Sequence, residues 1–419
     1  MSSALLFRSV LMASRIIHAD HVAPGDAAPI ADAAIVVDEQ GVVEDVGAAA
    51  EVLPRHTGAP IERVRGVVFP GLVNAHSHVE LSALRGKVPG GRGFVAWVDT
   101  LIGIRSEITP EEESAAIDRA ADDLALYGTV AVGDVTNSLA AVHALARKNI
   151  GGSIFHEVLG LERSAVLGRI EGLRAEVEER VPRWPSADLA YAPAPHTVFT
   201  VHSDALRALI DGAKKRGIRT SIHLAEHGPE RRAIENGDGP FPDWYFARTT
   251  QRCEWPKRPL FDYAADAGVL APEVLVVHLT DARPAELARV AAAECPVVLC
   301  PRSNLYIEAR LPPLLDVLEA GIAPALGTDS LASNTSLDVL AEAKALAERF
   351  PTVPAWRLLE LATANGGRVL ARKDLGRIAR GTRPGIVAIE GEVKGDAAAW
   401  VLANVKAPRR FVVERKVTS

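Results

Sequence analysis

The sequence predicts an α/β fold: a (β/α)8 barrel of the TIM type, with a small β-sandwich domain built from both chain termini. Eight short apolar runs alternate with amphipathic stretches, and further strand-like runs flank them at both ends of the 419-residue chain. A barrel of this kind takes about 250 residues, which leaves enough chain for insertions and a second domain. A doubly wound open sheet is the alternative that counting strands leaves open.

The predicted barrel strands are apolar runs of strand length, and stretches with helical periodicity separate most of them. The strands are residues 66–73, 128–134, 152–158, 189–192, 219–225, 274–279, 297–300 and 323–328. The clearest helical stretches are 110–126, 203–216 and 285–293. Repeated strand–helix units place the strands parallel to one another.

The two ends of the chain are predicted to form a composite β-domain, 1–66 plus 373–419, around a barrel at 67–372. Residues 33–47 resemble two strands joined by a turn at 39–41, and strand-like runs occur at 386–389, 399–402 and 410–414. After the fifth barrel strand, 229–259 is rich in Pro, Trp and Arg. We expect a long irregular insertion there, of the kind that often covers a binding site.

Composition excludes several classes of protein. The chain is 48% hydrophobic and 24% charged, with a net charge of −6 and no basic block that would indicate a nucleic-acid partner. The sequence has no uninterrupted run of eighteen apolar residues, so no membrane span is expected. Arg8 and Arg15 interrupt the apolar N-terminus, which argues against a signal peptide. Cys253, Cys295 and Cys300 form an odd set without CxxC spacing, which favours a reducing, cytoplasmic location. The expected partner is a small-molecule substrate.

Polar residues follow the predicted strands where each strand ends, and in a barrel these ends converge on one face. Alone, a histidine such as His278 could be a satisfied core residue, and Asp329 could cap a helix. Two histidines two positions apart in extended chain, however, point to the same side and can share a metal ion. The combination favours a metal site, and its residues are His76, His78, His223, Glu226, His278 and Asp329.

These residue types suit one divalent metal ion, Zn²⁺ first and Fe²⁺ as the alternative. An open metal site lowers the pKa of a bound water to about 7 and produces a hydroxide nucleophile. Glu226 lies three residues beyond His223, near the predicted metal, which suits a general base and acid. Asp329 could orient the attacking water, and His278 could polarise the substrate. Strand four contains no Lys, Glu or Asp over 189–194, which favours a mononuclear site.

Six motifs carry a resemblance that covers almost the whole chain. They are PGLVNAHSH at 70–78, APH at 194–196, HLAEHG at 223–228, VVHLT at 276–280, CPRSN at 300–304 and ALGTDSLASN at 325–334. The sequence resembles the amidohydrolase superfamily in its branch of cytosine, guanine and adenosine-type deaminases and chlorohydrolases. One departure lies at 375–389, where Gly381 is followed by Pro384-Gly385 instead of the usual Ala-Asp pair, in the predicted β-domain.

The resemblance implies metal ligands at His76, His78, His223 and Asp329. It implies catalytic roles for Glu226, His278 and Asp329, and substrate binding by His196. The run at 76–82, HxHxE followed by an apolar residue and Ser, resembles most the 6-aminodeoxyfutalosine deaminases of menaquinone biosynthesis. The expected reaction is then attack of hydroxide on C6 of an aminopurine with release of ammonia.

This substrate class implies further contacts. Glu80 could hydrogen-bond the ribose or orient His78. The benzoate carboxylate of aminodeoxyfutalosine calls for a cation, and Arg85 and Arg302 are the candidates because guanidinium matches carboxylate geometry. The alternatives are a deaminase of adenosine, S-adenosylhomocysteine, guanine or cytosine, a chlorohydrolase or cyclic amidohydrolase, and a non-catalytic scaffold. A homodimer stays open, since relatives commonly dimerise but no interface is legible in the sequence.

Overall fold

The computed structural model describes residues 14–249 and 253–415. Its strands are β1 (Arg15–Val22), β2 (Ile30–Val37), β3 (Val43–Ala48), β4 (Ile61–Pro70), β5 (Leu72–Ser77), β6 (Thr129–Thr136), β7 (Gly151–Val158), β8 (Leu189–Pro195), β9 (Thr220–Leu224), β10 (Val274–His278), β11 (Val297–Leu299), β12 (Ala325–Leu326), β13 (Ile386–Glu390) and β14 (Arg409–Val413). They form three sheets.

The helices lie mainly between successive strands of the central region. They are α1 (Ala49–Val52), α2 (Phe94–Arg105), α3 (Pro110–Leu126), α4 (Val142–Arg147), α5 (Arg163–Arg180), α6 (Ser203–Arg216), α7 (Gly228–Asn236), α8 (Pro240–Arg248), α9 (Leu260–Asp266), α10 (Pro284–Ala292), α11 (Pro301–Glu308), α12 (Leu314–Glu319), α13 (Val339–Arg349), α14 (Ala355–Ala362), α15 (Ala364–Val369) and α16 (Ala397–Ala403). Short 3-10 turns occupy Leu53–Arg55, Val79–Leu84 and Val181–Arg183.

Two four-stranded parallel sheets form the centre of the molecule, in the orders β5-β6-β7-β8 and β9-β10-β11-β12. Single parallel bridges join their edges, between Ser77 and Asp329 and between Thr197 and His223. Every residue of β6, β9 and β10 is buried. Helices that cover a parallel sheet on its faces explain why these strands are almost continuously apolar. The predicted α/β fold with parallel strands is confirmed.

A six-stranded mixed sheet joins the two ends of the chain, in the order β14-β13-β4-β1-β2-β3. Strand β13 pairs antiparallel with β4, from Ile386 opposite Pro70 to Glu390 opposite Gly66. The structure thus confirms that both ends contribute strands to one sheet. Residues 1–13 and 416–419 of the predicted composite domain lie outside the described residues. The sandwich and the boundaries of the two domains stay predictions.

The first predicted barrel strand, 66–73, is wrong in its bounds, because the apolar run belongs to two elements. Strand β4 ends at Pro70 in the mixed sheet, and β5 begins at Leu72 in the parallel sheet. Between them the Gly71 N–H donates to the carbonyl of Gly385 at 3.0 Å. A Cβ on Gly71 would lie 2.3 Å from Cγ1 of Val130, so only glycine passes there unobstructed. The continuous apolar run conceals this change of sheet.

The helix predictions at 110–126 and 203–216 are confirmed at the same bounds, and the predicted 285–293 corresponds to α10. Helix α3 begins with a capping box, in which Thr109 accepts from the Glu112 N–H and the Glu112 carboxylate accepts from the Thr109 N–H. Helix α6 ends at Gly217, whose φ of 61° is in the left-handed region. Local capping chemistry therefore sets these boundaries.

Two predictions about local structure are wrong. The strand-like run at 399–402 lies in α16, where the Asp396 side chain caps the helix by accepting from the Ala399 N–H at 2.7 Å. A short apolar run does not distinguish strand from helix, and three consecutive alanines favour the helix. The segment 229–259 is not irregular, because α7 and α8 occupy much of it. Its residues 250–252 lie outside the described part of the chain.

In the described ranges, no helix has both the length and the apolar character needed to cross a membrane. Cys253, Cys295 and Cys300 are free thiols, and the latter two are buried. Burial raises the pKa of Cys295 to about 11, so this thiol stays protonated at neutral pH.

Candidate active site

The C-terminal ends of the parallel strands bring the polar residues of the motifs together. His76 lies near the end of β5, and His78 follows the strand directly. His223 precedes the last residue of β9, His278 ends β10, and Asp329 follows β12. The backbone of Asp329 forms a parallel bridge with Ser77, which places this carboxylate beside the two histidines of β5.

Three of these histidines and the aspartate form a compact cluster. Nε2 of His78 lies 3.4 Å from Nε2 of His223. Oδ1 of Asp329 lies 3.4 Å from Nε2 of His78 and 3.8 Å from Nε2 of His76. The rings of His76 and His223 are 4.9 Å apart. One ligand atom each from His76, His78 and His223 lies within 4.8 Å of the others, so these histidines could hold a metal ion.

The chemistry of the cluster fits a divalent metal ion. His76 is fully buried, and within the described chain neither of its ring nitrogens has a hydrogen-bond partner. Leaving such a group unpaired costs about 1–3 kcal/mol, so the site calls for a ligand on that imidazole. Burial and the neighbouring histidines lower the pKa of His76, and they lower the pKa of His223 to about 3. Neutral imidazoles are the form that binds metal.

Hydrogen bonds with neighbouring residues orient His223 and Asp329 within the cluster. Nδ1 of His223 donates to the carbonyl of His196 at 2.9 Å, which leaves its Nε2 lone pair facing the site. Oδ2 of Asp329 accepts hydrogen bonds from the hydroxyls of Ser303 at 2.5 Å and Ser333 at 2.8 Å. Burial acts to raise the pKa of Asp329, but the nearby histidines and these hydroxyls lower it overall. The carboxylate is therefore held ionised with Oδ1 toward the histidines.

Glu226 and His278 form a second pair beside the cluster. Oε1 of Glu226 lies 3.6 Å from Nε2 of His278, and both side chains are largely buried. Nδ1 of His278 lies 3.3 Å from Nδ2 of Asn304. Burial raises the pKa of Glu226 well above its ordinary value, and the charges of Asp329 and Glu230 add to this effect. A raised pKa means that the carboxylate binds a proton more readily than an ordinary glutamate, which suits it to accept a proton and return it.

The backbone at these strand ends adopts conformations that side chains rarely take. Ala225 has a φ of 50°, His278 of 79° and Asp329 of 56°. Each such residue costs of the order of 1–3 kcal/mol, and conformations of this kind concentrate at functional sites. All three lie directly before or at a residue of the predicted site.

Helix α2 lies beside this end of the strands. The ring of Phe94 stacks on His227 at 3.6 Å between centroids, and Nε1 of Trp97 donates to the carbonyl of Ala332 at 3.2 Å. On its other side, Asp99 accepts from Nε1 of Trp244 on α8 at 3.0 Å. Part of the predicted insertion thus packs against α2 instead of extending as a loop.

Glu80 follows His78 by two residues and His196 lies beside His223, and the two side chains have different settings. Glu80 is buried and accepts hydrogen bonds from Arg105, from Thr136 at the end of β6 and from the two residues that follow β6. These partners lower its pKa against the opposing effect of burial. The ring of His196 lies 5.0 Å from that of His223, and burial lowers its pKa to about 3. Their predicted roles in substrate binding stay predictions.

Arg85 and Arg302 make their polar contacts within the described residues to groups other than the clustered histidines. The guanidinium of Arg85 is half-exposed and pairs with Asp123 at 2.5 Å. That of Arg302 donates to Ser336 at 3.0 Å and to Thr335 at 2.5 Å. The structure therefore does not bring these two arginines together with the cluster, and carboxylate binding by either stays a prediction.

Sequence reasoning missed several residues that contact the site. Ser303 lies inside the CPRSN motif, and Ser333 lies inside ALGTDSLASN, but neither was connected to Asp329. Glu157 is the penultimate residue of β7 and lies 3.9 Å from His196, measured from Oε1 to Nε2. The strand-end rule that located the histidines would have found this glutamate too.

The model of the amidohydrolase family matches residues 67–414. The chain belongs to the amidohydrolase family. An aminodeoxyfutalosine deaminase of Deinococcus radiodurans is 31% identical over 332 residues, which is 76% of this chain and 77% of that protein. A 5-methylthioadenosine/S-adenosylhomocysteine deaminase of Haloarcula marismortui is 28% identical over 78% of this chain and 73% of its own length.

Solved structures share the fold of this amidohydrolase. Helicobacter pylori aminofutalosine deaminase in complex with methylthio-coformycin matches with a TM-score of 0.84 and 23% identity, over 97% of this chain and all of that chain. An adenosine deaminase of Xanthomonas campestris with bound zinc matches with a TM-score of 0.76 and 20% identity, over 96% and 94% of the two chains. At these identities the likeness concerns the fold.

Proposed function

We propose that this amidohydrolase is a metal-dependent hydrolytic deaminase of an adenosine-like nucleoside, with 6-aminodeoxyfutalosine as its preferred substrate. The observation that carries the proposal is the pairing of a buried glutamate with a buried histidine, 3.6 Å apart, beside three clustered histidines. This arrangement offers ligands for a metal ion and a separate pair of groups for proton transfer.

His76, His78, His223 and Asp329 would hold one divalent metal ion, for which Zn²⁺ is the first choice. Bound there, the ion would supply a water molecule of lowered pKa. In the same proposal, the two parallel sheets close into an eight-stranded barrel through the bridges at Ser77–Asp329 and Thr197–His223. Barrel closure would place all ligands at one C-terminal face.

The chain's own residues would carry the proton transfers. Glu226 would accept a proton from the attacking water at its carboxylate and deliver it to N1 of the adenine ring. Attack at C6 makes that carbon tetrahedral. The second proton of the water then passes to the amino nitrogen, the C6–N bond breaks, C6=O forms, and ammonia leaves. His278 would donate a hydrogen bond from Nε2 to the oxygen that adds to C6, and Asp329 would orient the water through Oδ1. Because the site is buried, these groups act in a low-dielectric setting where hydrogen bonds are stronger.

The substrate assignment is supported by the relatives. The Deinococcus radiodurans protein is named for aminodeoxyfutalosine, and the Haloarcula marismortui protein for two adenosine derivatives. These compounds share an adenine ring on a ribose with a substituent at the 5′ position. Such a shared core fits a site that acts on C6 and leaves the remote substituent to set preference.

Ammonia release tests the proposal. The metal-loaded protein should release one ammonia per adenosine-like nucleoside consumed, and a chelator should abolish the reaction until metal is restored. Release of chloride from a chlorinated ring, or ring opening of a cyclic amide, without ammonia from any aminopurine would contradict it.

A further inference from the structure

We infer that Glu157 and His196 together bind a ribose hydroxyl of the substrate, with Glu157 accepting the hydrogen bond and His196 donating one. This inference rests on the proposed function, because it assumes a nucleoside as substrate. It adds a specificity-determining residue, Glu157, that no sequence motif pointed to.

Both residues lie at the same end of the parallel strands as the histidine cluster. Glu157 precedes the last residue of β7, and His196 follows β8 directly. The His196 N–H donates to the carbonyl of Val158 at 3.1 Å, which ties the two strand ends together. The ring of His196 is 5.0 Å from that of His223, so the pair borders the predicted metal site.

The Glu157 carboxylate has one oxygen held and one oxygen without a partner. Oε2 accepts a hydrogen bond from Nδ2 of Asn137 at 3.1 Å. Oε1 is buried and receives no hydrogen bond from any residue in the described ranges. Glu157 is only 5% exposed, so its carboxylate has little contact with solvent. A buried carboxylate oxygen without a donor is costly, so this atom calls for a donor from a bound molecule.

The hydroxyls of two threonines determine which nitrogen of His196 carries the proton. Oγ1 of Thr197 accepts from the backbone N–H groups of Phe199 at 3.2 Å and Thr200 at 3.0 Å. Its own hydrogen therefore goes to Oγ1 of Thr200, 2.7 Å away. The Thr200 hydrogen then goes to Nδ1 of His196 at 2.7 Å. Nε2 of His196 is left with the proton and is a donor.

A donor and an acceptor thus face each other across 3.9 Å, from His196 Nε2 to Glu157 Oε1. This separation is too long for a direct hydrogen bond, but an oxygen about 2.8 Å from both atoms fits between them. A hydroxyl group both accepts and donates, which matches the pair. In an adenosine-like nucleoside the hydroxyl groups are on the sugar.

A second metal ion is the competing occupant, since Glu157, His196 and His223 also place ligand atoms within 4.8 Å of one another. His223, however, has its Nδ1 bonded to the His196 carbonyl and its Nε2 directed at the first cluster. Only two protein ligands would remain, fewer than the three that catalytic zinc sites use. The hydroxyl is therefore the better match.

Glu80 acts in this arrangement as a positioning residue. Its carboxylate accepts from the Asn137 N–H at 3.0 Å and from the Ser138 hydroxyl at 2.6 Å. Nε2 of His156 donates to the carbonyl of Asn137 at 3.2 Å from the opposite side. Asn137 is thereby fixed with its side-chain amide toward Glu157. This gives the glutamate of the HxHxE motif a role through Asn137, without contact to the substrate.

The test combines a change in the protein, at Glu157, with removal of one hydroxyl group from the substrate. kcat/KM for ammonia release is measured with adenosine, 2′-deoxyadenosine and 3′-deoxyadenosine, for the wild type and Glu157→Gln. Loss of a hydrogen bond to a charged group corresponds to about 10- to 100-fold. We expect Glu157→Gln to lose that factor on adenosine. One of the two deoxynucleosides lacks the hydroxyl that Glu157 binds, so the wild type should already have a lower kcat/KM for it. On that substrate, kcat/KM of Glu157→Gln should be less than about threefold below that of the wild type.

Matched controls separate a binding role from a folding role. Glu179→Gln changes an exposed glutamate of α5 and should match the wild type on all three nucleosides. Asn137→Ala keeps the Glu157 carboxylate but removes its hydrogen bond, and it serves as the second variant should Glu157→Gln fail to fold. Asn137→Ala and Glu80→Gln should both reduce the preference for adenosine over the same deoxynucleoside, an effect that a purely structural loss would not produce.

Three results would overturn the inference. One is that Glu157→Gln lowers kcat/KM by the same factor on adenosine and on both deoxynucleosides, so that the effects of the variant and of each missing hydroxyl are independent. Another is two metal ions per wild-type chain, with one lost in Glu157→Gln. The third is a wild type that releases no ammonia from adenosine, aminodeoxyfutalosine or S-adenosylhomocysteine, which also removes the proposed function. An active wild type with independent effects removes only the Glu157 assignment.

Discussion

Oε1 of Glu226 lies 3.6 Å from Nε2 of His278, and burial raises the pKa of the glutamate well above its ordinary value. The two side chains come from different strand ends, β9 and β10, which pair in parallel with His278 opposite Leu224. Their meeting is therefore a consequence of strand register. It places a carboxyl group of raised pKa beside, and not within, the cluster of candidate metal ligands.

Replacing Glu226 by glutamine tests its role as the proton-transfer group. The variant keeps the shape of the side chain but cannot accept a proton, so kcat should fall by at least about 100- to 10,000-fold. Metal content, measured on the same preparation, should stay at the wild-type value. Glu179→Gln is the control for charge removal at an exposed site. Retained turnover in Glu226→Gln would remove Glu226 from this role.

Ser303→Ala tests whether the hydrogen bond to Asp329 supports metal binding. The hydroxyl of Ser303 donates to Oδ2 at 2.5 Å, and without it the carboxylate keeps only Ser333 as a hydroxyl donor. Loss of such an outer contact should weaken metal affinity by about 10- to 100-fold. Titration of zinc against a competing chelator measures this. An unchanged affinity, equal to that of the exposed-site control Ser106→Ala, would contradict the role.

Glu342 should make the stability of the protein depend on pH. This glutamate of α13 is fully buried, and burial raises its pKa from 4.5 to about 7 in spite of Arg302 nearby. At a pH between these two pKa values, Glu342 holds a proton in the folded state and has lost it in the unfolded state. The free energy of unfolding therefore falls as pH rises through this window, by at most about 3 kcal/mol.

Thermal unfolding of the wild type and Glu342→Gln at pH 5 and pH 8 measures this contribution. The glutamine variant cannot ionise, so its Tm relative to the wild type should be higher at pH 8 than at pH 5. The comparison uses the difference between the two proteins because other groups titrate in the same range. A difference in Tm that is the same at both pH values would show that Glu342 does not titrate as expected.

The predicted carboxylate contacts of Arg85 and Arg302 can be tested by their selectivity. To reach a substrate, Arg85 would have to leave Asp123, and Arg302 would have to leave Thr335, Ser336 and the carboxylate of Glu342. Alanine at the residue that binds the benzoate should raise KM about tenfold or more for aminodeoxyfutalosine and little for adenosine. Arg163→Ala, at an exposed ion pair, is the control. Equal losses on both substrates would contradict the prediction.

Sequence patterns located the strand ends well, because a buried parallel strand is a continuous apolar run and its polar residue stands out at the end. His223 and His278 were found in this way, and the helices at 110–126 and 203–216 were bounded by their caps. The same patterns failed where one apolar run contains strands of two different sheets, with β4 ending at Pro70 and β5 beginning at Leu72. The Pro70-Gly71 pair is the one local mark of this change of partner, and the apolar residues on both sides conceal it.

The contacts between distant residues could not be predicted from the sequence. Asp123 beside Arg85 and Ser336 beside Arg302 are separated from those arginines by more than thirty positions, and only tertiary packing of a helix against a loop brings each pair together. Glu157 illustrates the opposite case. It stands at the end of a correctly predicted strand, but its meaning depends on His196 and Asn137, whose orientations follow from hydrogen bonds made elsewhere.

The most direct test of the central claim is kcat/KM for ammonia release by the metal-loaded protein, measured with aminodeoxyfutalosine, adenosine and S-adenosylhomocysteine. We predict a value of about 10⁴ M⁻¹s⁻¹ or more for aminodeoxyfutalosine, and lower values for the other two. A higher value for either of the others would keep the deaminase and change its substrate. No ammonia from any of the three, with the metal site filled, would contradict the account.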